Sequence, residues 1–135
     1  MRYVSGTYAL NLQCPEGTAG DWHFCCLDWN HPLELESAET SFGEWGIYES
    51  RDVPGREKCN VATHARACLD LLELGKFSSA QGMREQFLGR DYPKTAELFG
   101  LVARLRQLPA WEDVDAFMGS EYLCAWLDYK EALGL

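Results

Sequence analysis

Apolar and polar residues alternate over short stretches up to about residue 58 and recur at helical spacing beyond it. In the first part, "YVSGTYALNL" (Tyr3–Leu12) sets strand-forming residues around a glycine. "PLELE" (Pro32–Glu36) alternates cleanly, which predicts Leu33 and Leu35 inward and Glu34 and Glu36 outward. "EWGIYES" (Glu44–Ser50) predicts another short strand, and "DVPGREKC" reads as a loop with Pro54-Gly55 as its turn. The stretch "GDWHFCCLDWNH" (Gly20–His31) keeps one apolar side only if a bulge falls at Cys25–Cys26. Trp22, Phe24, Leu27 and Trp29 then point to the core, and Asp21, His23, Asp28 and Asn30 point away.

After residue 59 the spacing is helical. Asn60 is placed to cap "VATHARACLDLLELG", in which Val61, Ala65, Cys68, Leu69 and Leu72 make an apolar stripe ending at Gly75. A shorter helix is expected around Ser79–Leu88, weakened by Gly82. Asp91 and Pro93 open "KTAELFGLVARLRQL", with Leu98, Leu101, Val102 and Leu105 inward. "WEDVDAFMG" carries acids in its first turn, where the helix dipole favours them. Ser120 is expected to cap a last helix, "EYLCAWLDYKEAL", with Leu123, Trp126 and Leu127 inward. The expectation is therefore one α+β domain over residues 1–135. A small, mainly antiparallel sheet in the N-terminal half (3–58) packs against four or five helices of the C-terminal half (59–135).

Composition narrows the function. No apolar run approaches the ~18 residues that span a bilayer, and the first residues lack the apolar core of a secretory signal. The expectation is a cytoplasmic protein with no membrane partner, and its six cysteines are expected to be reduced thiols. The formal charge is −9, and its distribution says more than its total. No lysine or arginine lies between Arg2 and Arg51, whereas eight acids do: Glu16, Asp21, Asp28, Glu34, Glu36, Glu39, Glu44 and Glu49. Such a field repels phosphate backbones, which argues against direct nucleic-acid binding. It suits a basic protein partner, with Glu34, Glu36 and Glu44 supplying charge and Trp45, Tyr48 or His31 supplying anchors.

Three chemistries compete with that reading. Cys59, His64 and Cys68 offer metal-ligand types, as do His23 and a neighbouring cysteine with Cys14 or His31. Neither set has the paired C-x-x-C spacing of a zinc site, so no metal or other cofactor is expected. "FGEWG" lacks the lysine and the further glycines of a phosphate loop. A small cytosolic, hydrolase-like enzyme is the alternative, with Asp21, His23 and Asp28 as its polar cluster or with a Cys–His pair drawn from Cys25, Cys26 or Cys59 and His23, His31 or His64.

The succession "RYVSGTYALNL", "GDWH", "FGEWGI", "NVATHARACLDLLELG" and "AQGM" resembles a group of small bacterial (Firmicutes-like) proteins associated with toxin–antitoxin or phage-defence gene neighbourhoods. The resemblance implies a bacterial cytoplasmic origin and an accessory or antitoxin-like role, and it implies no catalytic residue. The function expected is that of a non-enzymatic interaction protein whose acidic N-terminal half binds a basic partner.

Overall fold

Four short strands make one sheet in the computed structural model, which describes residues 1–16, 20 and 27–135. They are β1 (Arg2–Val4), β2 (Glu34–Glu36), β3 (Ile47–Ser50) and β4 (Cys59–Ala62), in the spatial order β2-β1-β4-β3. β1 runs antiparallel to β2, and β3 antiparallel to β4. The two inner strands are parallel, through the register Val4↔Val61, and both valines are fully buried. Among the described residues β2 and β3 are thus the two edges.

The helices are α1 (Gly6–Leu10), α2 (His64–Glu73), α3 (Phe77–Ala80), α4 (Thr95–Val102), α5 (Trp111–Tyr122) and α6 (Cys124–Leu133). A π-helical turn spans Met83–Leu88, and 3-10 turns span Ser37–Glu39 and Ala103–Gln107. The architecture is α+β, with the sheet mainly antiparallel and most helices in the second half. α2 is the centre of the molecule. It leaves β4 directly, its residues from His64 to Leu72 are all buried, and one continuous hydrophobic core surrounds it. Among the described residues no helix is long and apolar enough to cross a membrane.

Local chemistry explains where this differs from the expected elements. The Tyr3–Leu12 stretch is strand only to Val4. There Ser5 turns its hydroxyl to Asp70 at 2.6 Å and its N–H to the Leu33 carbonyl at 3.0 Å, and the chain departs into α1. Asn60 does not cap α2, because residues 59–62 pair with β3. Thr63 takes that role, its hydroxyl accepting from the Arg66 N–H at 3.2 Å. The Ser79–Leu88 helix is split at Gly82, whose φ of +91° is left-handed and separates α3 from the π-helical turn. Ser120 lies inside α5 rather than capping α6. Trp126 is fully buried as expected, but Leu123 and Leu127 are exposed. The buried Leu98, Leu101, Val102 and Leu105 match the periodicity. The proposed bulge at Cys25–Cys26, with Asp21, Trp22, His23 and Phe24, lies outside the described residues.

Candidate functional site

The most polar part of the interior is built on α2. Arg66 and Asp70 lie four apart on one helical face, with 0% and 1% exposure, and Arg66 Nε donates to Asp70 Oδ1 at 2.9 Å. The remaining guanidinium donors go to the Gly43 carbonyl (2.8 Å), the Trp45 carbonyl (2.6 Å), the Tyr3 hydroxyl (2.9 Å) and Thr40 Oγ1 (2.7 Å). All five N–H groups of the arginine are therefore satisfied by protein. Asp70 Oδ2 accepts from Tyr3 Oη at 2.7 Å and from Ser5 Oγ. Burial pushes the Asp70 carboxyl up, against the pull of Arg66 and the two hydroxyls, and it pushes the Tyr3 phenol up as well. With no donor left over, this network has nothing to offer a ligand. It clamps the 40–46 segment onto α2 and β1. Gly46 permits the close approach: its φ is +72°, and a Cβ there would lie 2.8 Å from Arg66 Cβ.

The clamp decides where the expected partner-binding residues fall. Trp45 is half-buried and donates its indole N–H to Glu97 on α4 at 2.7 Å, so it straps the turn to the helical layer. Glu34 and Glu36 sit on β2, at the opposite edge of the sheet from Tyr48 on β3. Both acids are already compensated. Glu34 is paired with Arg56 and, at 3.5 Å, with Arg2; Glu36 is paired with the amino group of Met1. The Arg56 hydrogen bond holds the Glu34 carboxyl below its ordinary range, and the Met1 amine does the same for Glu36. Asp28 is exposed and bonded to His31 Nδ1 at 3.0 Å, which lowers its carboxyl in turn. Asp21 and His23, its partners in the enzymatic alternative, lie outside the described residues. Glu44 is exposed.

The Cys59, His64 and Cys68 set is dispersed by its elements. Cys59 begins β4, Cys68 is sealed in the core where burial pushes its thiol up, and His64 turns toward α1. Among the described residues no group of three histidine, cysteine, aspartate or glutamate side chains is arranged to hold a metal ion. Cys14, Cys59, Cys68 and Cys124 are free thiols.

His64 has its own surroundings. Its Nε2 lies 2.7 Å from the Leu12 carbonyl, and because a carbonyl only accepts, that nitrogen carries the proton. Nδ1 is then an acceptor, buried and with no hydrogen-bond partner among the described residues. His64 borders a cavity of about 60 Å³ shared with Cys14, Glu16 and Tyr92, whose hydroxyl bonds Glu16 at 3.0 Å. That volume admits a few water molecules and no substrate, since small-molecule pockets run to roughly 300 Å³ or more. Burial holds the His64 imidazole below its ordinary value. The unfolded chain titrates this histidine near ~6.5, so below that pH it binds a proton that the fold refuses, and stability declines as pH falls. The urea midpoint is expected to be flat from pH 8 to 7 and to drop between about pH 6.5 and 5. His64→Gln should flatten that drop, and an equal drop in this variant would assign it to other groups.

Cys14 also borders an open groove of about 390 Å³, lined by Gln13, Pro15 and the run Tyr48–Asp52. This groove adjoins the edge strand β3. Tyr48 closes its inner side by donating to the Gln13 carbonyl at 3.2 Å, and burial raises its phenol to about 12. Glu49, Arg51 and Asp52 stand exposed along it, Glu49 with Lys58 at 3.1 Å. No protein family, curated protein or solved structure shows significant similarity to this chain.

The sequence expectation missed Arg66 and Asp70 and the groove's Gln13–Pro15 wall. A legible signal existed for the first pair: two opposite charges four apart within an otherwise apolar helix. None existed for the second, because it depends on the tertiary placement of α1.

Proposed function

We propose that this chain is a non-enzymatic interaction protein, antitoxin-like or accessory in kind, that receives an extended basic polypeptide segment along β3. The supporting observation is the groove itself: a strand at the sheet edge among the described residues, flanked by a depression about 390 Å³ in volume, on a protein of net charge −9. Among the described residues β3 pairs with β4 alone, and an edge strand is the template used when a partner adds a strand. The acidic field selects a basic segment and speeds its arrival. Glu34 and Glu36 contribute to that field only weakly, because each is neutralised within the fold. Asp52 lines the groove, Glu49 lines it while paired with Lys58, and Glu44 is exposed on the turn before β3.

The test is fluorescence anisotropy with a labelled peptide of alternating lysine and valine, and with its glutamate–valine counterpart. Binding of the basic peptide is expected at low salt and should weaken steeply as salt rises. The combined substitution Glu44→Lys, Glu49→Lys, Asp52→Lys should weaken it by about tenfold or more. Equal affinity of this variant and the parent at low salt would defeat the reading.

A further inference from the structure

The junction between α5 and α6 falls at Leu123, three residues beyond the boundary that the sequence predicts at Ser120. From Trp111 to Leu133 there is no proline, and the one glycine, Gly119, lies inside α5. Sharp interruptions of a helix ordinarily trace to proline, to a Gly/Ser pair or to a π-bulge, yet α5 runs on through Gly119–Ser120. Here the interruption is a single residue, Leu123, at φ +52° and ψ −127°. It is the only non-glycine residue at positive φ among the described residues. A branched, bulky side chain rarely occupies this region, because Cβ crowds the backbone. Leu123 gains no burial in compensation: it is 58% exposed, and Leu127, one turn on, is 55% exposed.

Packing of α6 imposes the turn. Trp126 is fully buried, with its ring 5.2 Å from Phe99 and 6.2 Å from Trp111, and its indole N–H donates to Asp115 on α5 at 2.8 Å. Lys130 of α6 reaches Asp115 as well, at 2.8 Å. α6 must fold back along α5 to make these contacts, and Leu123 carries the distortion.

We propose that Leu123 is a hinge through which α6 is exchanged between two copies of this chain. In the exchanged form Leu123 adopts ordinary helical angles, and α5 and α6 become one rod of about 34 Å. Each α6 then covers the partner's Phe99 and Trp111 as it now covers its own. Every contact of Trp126 and Lys130 is regained between chains, and the unfavourable turn is lost twice per dimer. Leu123 and Leu127 lie one turn apart on the rod, where a two-fold axis through the crossing brings them against their copies.

Light scattering behind size exclusion, from micromolar to millimolar chain, reads the association. An isotope-filtered NOE experiment on an equal mixture of labelled and unlabelled chain reads the exchange. The parent should become dimeric as concentration rises, and the dimer should show Phe99–Trp126 NOEs between labelled and unlabelled chains. Leu123→Gly accepts the turn without crowding and should cut the association constant at least tenfold while leaving the fold intact. A parent that stays monomeric at 1 mM overturns the proposal. So does a dimer whose Phe99–Trp126 contacts remain within each chain, and so does a Leu123→Gly dimer as tight as the parent's.

Discussion

Arg66→Met should lower folding stability by about 3–5 kcal/mol, the usual cost of removing one partner from a buried ion pair. The substitution keeps much of the apolar stem and deletes five donors at once. It leaves Asp70 with only the Tyr3 and Ser5 hydroxyls, and it strands the Gly43 and Trp45 carbonyls that hold the 40–46 turn. Arg66→Lys should recover little, because an ammonium has three donors and no planar fork to reach acceptors on three different segments. Urea denaturation at neutral pH measures both. The double change Arg66→Met, Asp70→Leu should cost well under the sum of the single changes, since it leaves no uncompensated charge. A loss below about 1 kcal/mol for Arg66→Met would mean that the clamp is not what secures the turn.

Trp126→Ala should cost a similar amount, about 3–5 kcal/mol, for a different reason. The indole is the largest fully buried side chain among the described residues and sits among Phe99, Trp111 and Tyr129, so truncation opens a cavity that rigid rings cannot close. It also frees Asp115 from its indole donor. Trp126→Phe should lose roughly half as much, because it preserves ring contacts and forfeits only volume and the hydrogen bond. Thermal or urea unfolding measures the pair. Equal losses for the two substitutions would assign the effect to the hydrogen bond rather than to packing.

The two halves differ in how far the chain alone reveals them. α2, α4 and the strands β2 and β3 follow from local periodicity, since each has apolar residues at the spacing its element needs and turn residues at its ends. α1 and the Leu123 break do not. Both are decided by contacts to residues far along the chain: Ser5 with Asp70, and Trp126 with Phe99. The acidic interval was visible as composition, but composition does not disclose pairing. Arg56 lies 22 positions from Glu34, and only the folded loop brings it there. Trp45 reads in the sequence either as a core residue beside Ile47 or as an anchor amid carboxylates, and the acceptor of its indole N–H, Glu97, is 52 residues away. The groove beside β3 was equally hidden, since its two walls come from segments separated by more than thirty residues.

Amide hydrogen exchange of Ile47–Ser50, with and without the alternating lysine–valine peptide at saturation, tests the proposed binding most directly. A segment aligned along β3 supplies partners to amides and carbonyls at the sheet edge, so exchange in β3 should slow by about tenfold or more and spread to β4. A second depression of about 380 Å³ lies between α3 and α5, beside Phe77 and Phe117. Protection confined to those helices, or no protection at saturating peptide, would contradict a β3 site.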